Sequence, residues 1–343
     1  MIRCAIIGCG NNVEDLHIPA MEGIRDLEIV AACDINTNRL NRFGEKYEIA
    51  HLFDSFESFL RSDIEVDFLD ISTPGFTHFE LCWEASDAGY NILVEKPVTL
   101  SLDQTIELKN NVEKNNIKFC VIQNYRFRDC SLKAQKDVES GRVGKIHQIN
   151  VTFHGQSVFS EPAPWVWNER KNKSLLYEIC LHYLDLQVFF GGRVKKIIGS
   201  ESSWNDKTET TEKLYAMVKH ENGTIGIIDL QFNASSNYTH LEIFGSANDV
   251  LIKFFPEYYR IYSGNINPID EVYHDLKRIT DFGIPKIKEK LIKPKIKRRA
   301  KSHYRLFNLF VDALKENNPI MPVSLDDVIP TMELAEYLSK VTY

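Results

Sequence analysis

The sequence is short of the marks of several protein classes. No apolar run reaches the roughly 18–20 residues a membrane-spanning helix needs. Positive charge is not in excess: 41 Lys and Arg against 48 Asp and Glu give a formal charge of -7, which argues against a whole-chain nucleic-acid binder. The seven cysteines are odd in number and contain no Cys-x-x-Cys pair. Several sit in apolar runs, Cys33 in IVAACD and Cys120 in IKFCVI, and read as small buried hydrophobes in a reducing compartment. The opening MIRCAIIGCG enters a strand pattern directly, without the charged region and cleavage site of a signal peptide. The expected location is therefore the cytoplasm. No internal repeat and no low-complexity tail are found.

What remains is ordinary globular composition, 43% hydrophobic and 26% charged over 343 residues, enough for about two domains. The first third alternates apolar runs (Ile2–Ile7, Leu27–Cys33, Val66–Ser72, Asn91–Val94, Ile117–Gln123) with helically spaced stretches (Leu16–Arg25, Asn36–Tyr47, Phe56–Arg61, Thr77–Gly89, Leu102–Lys114). Strands apolar on both faces and interleaved with helices indicate a parallel, doubly wound Rossmann sheet over residues 1–123. Beyond residue 145 the strands gain polar alternation: Ile146–His154, Val194–Ser203, Leu214–His220, Thr224–Phe232, Tyr238–Gly245 and Val250–Phe254. An Asn222-Gly223 turn predicts a tight hairpin. Helices are expected at Ser131–Ser140, Ser174–Phe190, Ser302–Asn317 and Leu325–Lys340, the last begun by Ser324 with Asp327 three residues on. Residues 124–343 thus read as an α+β domain with an open, mostly antiparallel sheet, one face under helices and the other free for a partner.

Gly8-Cys9-Gly10 follows the first strand and precedes a helix. In that context Gly8 permits a tight turn, Gly10 lets backbone approach a pyrophosphate, and Asn11 and Asn12 join the cofactor loop. The third fingerprint position is Val13 rather than Gly or Ala. Asp34 ends the second strand, placed to accept the adenosine ribose hydroxyls and to repel a 2′-phosphate. NAD is therefore expected over NADP, with Arg39 nearby to soften the choice; a capping or turn role is the other reading of Asp34.

The run VDFLDISTPGFTH (66–78), the segment AGYNILVEKP (88–97), His17-Ile18-Pro19-Ala20 and the C-terminal Leu306–Leu338 stretch together resemble the Gfo/Idh/MocA oxidoreductase family along the full chain. The resemblance implies that Thr73, Pro74 and His78 line the nicotinamide side of the cofactor, and that Glu95 and Gln123 lie near the ribose and nicotinamide. It also implies that Lys96 reaches the reacting oxygen, commonly from a cis Lys-Pro peptide. Within LLYEICLHYLD (175–185), Glu178, His182 and Asp185 have helical spacing i, i+4, i+7 and are expected on one face. Three ionisable groups on so apolar a helix suit a polar cavity. Relatives usually carry Asp and Gly where this chain has Glu178 and Cys180, and Glu is similar to a subset tied to surface-polysaccharide and sugar biosynthesis; whether Glu178 binds substrate or orients His182 stays open. A metal site on these three residues and a structurally satisfied His182 are competing readings; no metal is expected.

The expected chemistry is NAD-linked interconversion of a secondary alcohol and ketone on a sugar, cyclitol or nucleotide sugar. His182 is the expected acid/base, since imidazole titrates near neutrality, and Lys96 the group that stabilises alkoxide charge on the same oxygen. Glu178 and Asp185 would bind neighbouring hydroxyls. Tyr125 and Arg126 would contact substrate, Arg126 by a bidentate grip on an anion, with an interdomain ion pair as its alternative. Trp165 and Trp167 read equally as an aromatic wall for a sugar or as rim packing. Two other functions fit: tightly held NAD(H) recycled within one cycle, and a non-catalytic NAD-binding sensor or scaffold. Residues 284–302 carry nine Lys or Arg and one acid, a solvated insertion or a basic surface for anionic lipid, a phosphorylated substrate or a partner. The resemblance implies a homodimer or homotetramer.

Overall fold

The computed structural model describes residues 1–155, 175–205, 210–264 and 300–342, together with Val272 and Leu276. Trp165, Trp167 and residues 284–299 of the basic segment lie outside the described residues. Two compact units are present, one formed by Met1–Asn124 with Lys295–Met332, the other by Tyr125–Pro294 with Glu333–Tyr343.

In the first unit, β1 (Ile2–Ile7), β2 (Leu27–Cys33), β3 (His51–Phe53), β4 (Phe68–Ile71), β5 (Asn91–Glu95) and β6 (Phe119–Ile122) form one sheet ordered β3-β2-β1-β4-β5-β6. Every pairing in it is parallel, and β4 and β6 are buried along their whole length, as strands covered on both faces must be. The helices are α1 (Ile18–Met21), α2 (Thr37–Tyr47), α3 (Phe56–Leu60), α4 (His78–Asp87) and α5 (Leu102–Asn115). Asn36, Ser55 and Ser101 start α2, α3 and α5 by accepting the amide of the third residue on. Instead of one regular helix over Leu16–Arg25, the chain makes a π-helical turn at Val13–His17 and then the short α1. Pro19 has no N–H to return to the preceding turn, so an α ladder cannot run through it. The three-residue β3 carries too little pattern to be read in advance.

The second unit contains α6 (Asp129–Glu139) and a seven-stranded sheet ordered β13-β12-β11-β7-β10-β9-β8. Its strands are β7 (Ile146–His154), β8 (Val194–Asn205), β9 (Thr210–His220), β10 (Ile225–Gln231), β11 (Tyr238–Gly245), β12 (Asn248–Phe254) and β13 (Glu257–Ser263). Only β7 and β10 pair in parallel. The β9–β10 hairpin closes where expected, with Gly223 at φ +92°. The helix α7 (Leu181–Gly191) lies against β7 and β10, and α6 against β12 and β13. Alternation then buries Leu214, Ala216 and Val218 and leaves Tyr215 and Met217 exposed. The chain also forms α8 (Lys301–Lys315) and α9 (Leu325–Thr342). Ser324 and Asp327 cap α9 reciprocally: Ser324 Oγ accepts the Asp327 amide and Asp327 accepts the Ser324 amide.

Candidate active site

The strand order reverses between β1 and β4, the switch point at which open parallel sheets bind ligands beyond their carboxyl ends. Gly8 follows β1 at φ +98°, and a Cβ on it would lie 2.7 Å from the Ser72 carbonyl oxygen after β4. Only glycine permits that approach. A Cβ on Gly10 would meet nothing within 4 Å, so open space lies over the loop. Asp34 accepts the Cys9 amide at 2.9 Å and the Asn36 amide at 2.8 Å, with Arg39 Nη1 at 3.3 Å. Its first task is thus to tie the glycine loop to β2, the turn role held open above. Each carboxylate oxygen has two lone pairs, which leaves acceptor capacity for ribose hydroxyls. Gln123, at the end of β6, is buried and its amide oxygen has no partner. A pinned glycine loop with open space above it, an acid at the end of β2 and an unsatisfied buried acceptor fit a dinucleotide.

Beside that loop lies a buried polar cluster. Asn12 Nδ2 donates to Glu95 Oε1 at 3.0 Å. His17 places Nε2 3.0 Å from the same oxygen and Nδ1 2.8 Å from Asp70 Oδ2. The His303 ring of α8 comes within 3.6 Å of Glu95. Burial pulls the His17 imidazole down, but the Asp70 and Glu95 carboxylates overcome it and push it up to about 10. Burial would raise Glu95, yet its bonds to His17 and His303 hold it well below the usual carboxylate range. His303 is lowered by its burial. Glu95, expected near the ribose and nicotinamide, is therefore the hub of an internal network. His17 entered the sequence reading only as part of a motif; the signal for its task was a lone histidine one helical turn beyond a glycine loop. One ligand atom from each of His17, Glu95 and His303 lies within 4.8 Å of the others, and a hydrogen bond already joins His17 to Glu95.

Glu95 Oε2 also accepts the Lys96 amide at 3.1 Å. The next peptide, Lys96–Pro97, is cis. Pro97 oxygen lies 2.6 Å from His78 Nδ1, and His78 Nε2 is 2.9 Å from the Thr73 oxygen. Expected to line the nicotinamide, His78 is fully buried with both ring nitrogens on backbone carbonyls. It is a brace between the Thr73-Pro74 turn and the Lys96-Pro97 turn. Thr73 and Pro74 are half-buried above it, and Lys96 is half-buried beside it.

In the second unit, the imidazole of His182 stacks flat on Tyr125, centroids 4.2 Å apart and planes 5° apart. Arg128 lies over the Tyr125 ring at 4.7 Å; since the imidazole covers one face, the guanidinium takes the other. Arg126 and Asp185, both expected to contact substrate, hold each other: Nε donates to Oδ2 at 2.8 Å and Nη2 to Oδ1 at 2.6 Å. Both are buried, and the pair lies within one unit. Glu178 and His182 are half-buried, whereas Asp185 is fully buried. Leu175–Cys180 is π-helical and α7 begins only at Leu181. Glu178 thus comes from the wider turn, and His182 and Asp185 from α7.

Residues 2–123 match the family model described as the oxidoreductase family, NAD-binding Rossmann fold, and residues 131–250 match the GFO/IDH/MocA C-terminal domain. The chain belongs to the GFO/IDH/MocA oxidoreductase family. Within the family it is similar to a D-apiose dehydrogenase of Paraburkholderia graminis, 25% identical over 228 residues that cover 66% of this chain and 60% of that protein. It is also similar to a myo-inositol 2-dehydrogenase of Thermotoga maritima, 24% identical over 71% of this chain and 73% of that one. Among solved structures, the WlbA dehydrogenase of Bordetella pertussis in complex with NADH and UDP-GlcNAcA superposes with a TM-score of 0.78 at 16% identity, covering 99% of this chain and 96% of that one. The fold is shared across that distance. Among the described residues no helix is long and apolar enough to cross a membrane.

Proposed function

We propose that this GFO/IDH/MocA protein is an NAD-linked dehydrogenase that interconverts a secondary alcohol and a ketone on a sugar, cyclitol or nucleotide sugar. One observation carries the reading: Asn12 of the glycine loop bonds Glu95, and Glu95 in turn holds the amide of Lys96. A lysine is thereby fixed beside the cofactor loop at the carboxyl edge of the sheet. The named activities of the relatives, on apiose and on inositol, support a polyhydroxylated substrate.

NAD supplies a hydride acceptor when bound; the protein has to orient the alcohol and move one proton. In this reading Lys96 holds the substrate oxygen and stabilises the charge that develops on it. His182 takes the hydroxyl proton as general base, its ring held in plane by Tyr125. Asp34, carrying the Cys9 amide, binds the adenosine ribose and disfavours a 2′-phosphate. The glycine loop from Gly8 to Asn12, its Gly8 and Cys9 amides held by the Cys33 oxygen and Asp34, surrounds the cofactor together with Thr73, Pro74 and Gln123. Tyr125 and Glu178 face substrate, while Arg126 and Asp185 support α7 from within.

The test is a screen of sugars, cyclitols and nucleotide sugars for reduction of NAD by absorbance, followed by variants on the substrate found. Lys96→Ala and His182→Ala are each expected to lower kcat about 100-fold or more, with NADH affinity nearly unchanged. Near-normal turnover in both would remove the assignment.

A further inference from the structure

The proposed chemistry gives His17 no task, yet both of its ring nitrogens are engaged by buried carboxylates. Its side chain is fully buried, as is that of Asp70, and that of Glu95 is only 9% exposed. Each ring nitrogen points at a carboxylate oxygen, and an ionised carboxylate can only accept. A neutral imidazole has a single N–H and would aim a lone pair at one of the two acids. Only the doubly protonated ring donates to both. Charge argues the same way: two buried carboxylates need a cation, and no lysine or arginine lies within salt-bridge distance of Asp70 or Glu95 among the described residues.

We propose that His17 is a positioning residue for Lys96: standing as an imidazolium between Asp70 and Glu95, it locks Glu95 onto the Lys96 amide and so fixes where the lysine side chain leaves the backbone. The chain of contacts is short. Asp70 Oδ2 to His17 Nδ1 is 2.8 Å, His17 Nε2 to Glu95 Oε1 is 3.0 Å, and Lys96 N to Glu95 Oε2 is 3.1 Å. Beyond Lys96, the His78 brace holds Pro97 from the other side. The backbone on either side of the Lys96 side chain is thus held by a histidine, directly at Pro97 and through Glu95 at the Lys96 amide. The groups packed against His17 are Asp70 from β4, Glu95 from β5, Asn12 from the loop, whose side-chain amide nitrogen donates to Glu95 at 3.0 Å and stands 3.4 Å from His17 Nε2, and His303 and Phe307 from α8, the last edge-on at 5.1 Å. The direction of the His17 shift agrees with the geometry. So does the opposite shift of His303, which leaves the proton on His17.

The role of Lys96 in turnover rests on the proposed function; its placement by His17 does not, and the experiment separates them. In the full-length protein with 15N-labelled histidine, long-range proton–nitrogen spectra assigned by comparison with His17→Gln are expected to show both His17 nitrogens protonated at neutral pH and well above it. A neutral, single-tautomer His17 at neutral pH overturns the proposal, and this measurement needs no variant that folds poorly. Lysines are then dimethylated with 13C, and the Lys96 resonance, assigned with Lys96→Arg, is followed against pH. Its titration midpoint is expected to move in His17→Gln and His17→Phe; an unmoved midpoint in folded variants overturns the proposal. On the true substrate, kcat is expected to fall at least about 10-fold while the NADH dissociation constant changes less than about 2-fold. Elemental analysis supplies the remaining arm. One equivalent of a transition metal, lost together with His17 or His303, would show a metal ion where the proposal puts a proton, and would overturn it.

Discussion

His17 keeps its proton up to about pH 10 in the folded chain, whereas an unfolded imidazole releases it near 6.5. The fold therefore binds a proton that the unfolded chain lets go between those values. A raised folded pKa gives stability that is fully present below about 6.5 and eroded progressively until it is gone above about 10. Glu95 has the opposite sign: its lowered pKa contributes above the unfolded carboxylate value and is lost as pH falls through the folded one. The cluster is at its strongest between the two unfolded values, about 4.3 to 6.5. Urea unfolding of the wild type and of His17→Phe is expected to differ most near pH 6 and to converge near pH 10. A difference constant across that range counts against a charged His17. This residue was hidden in the sequence because its partners, Asp70, Glu95 and His303, come from three other elements and have no spacing to read.

At the scale of elements, α7 carries a buried ion pair. Breaking it from one side strands a charge: Asp185→Asn or Arg126→Met is expected to cost about 3–5 kcal/mol in chemical denaturation. Replacing both with apolar residues should return much of that loss, because the desolvation penalty goes with the charges. A single variant as stable as wild type would show that the pair is solvated. Here the local backbone was not legible in advance. An α period was read through Leu175–Cys180, where the backbone is π-helical, because nothing in LLYEIC marks the wider turn. By contrast the parallel strands and the capped helices α2, α3 and α5 were legible, because their apolar runs and Asn or Ser caps act locally. The edge strand β13 was missed, although EYYRIYS alternates, since it follows the cis Phe255–Pro256 bond and a proline reads as a break.

For the whole molecule, cofactor binding is a stability measurement as well as a functional one. A ligand that binds only the folded state at 100 times its dissociation constant adds about 2.7 kcal/mol. NADH at that excess is expected to raise the melting temperature, and Gly8→Ala, whose Cβ would press on Ser72 oxygen, to reduce both affinity and shift. An unmoved melting curve would argue against a dinucleotide in the first unit. Composition and pattern made the Rossmann half legible, and the motif resemblance made the family legible, but nothing local announced that residues 295–332 return to the first unit. There Phe310 packs edge-on against Phe68 at 5.2 Å, Val121 donates its amide to the Val323 oxygen, and His303 leans toward Glu95. Synthesis on the ribosome proceeds from the amino end, so the six parallel strands emerge long before their last packing partner does. Until some two hundred further residues have been made, the nascent sheet keeps Phe68 uncovered and its buried acids without α8, and the cofactor cradle is finished among the last parts of the protein.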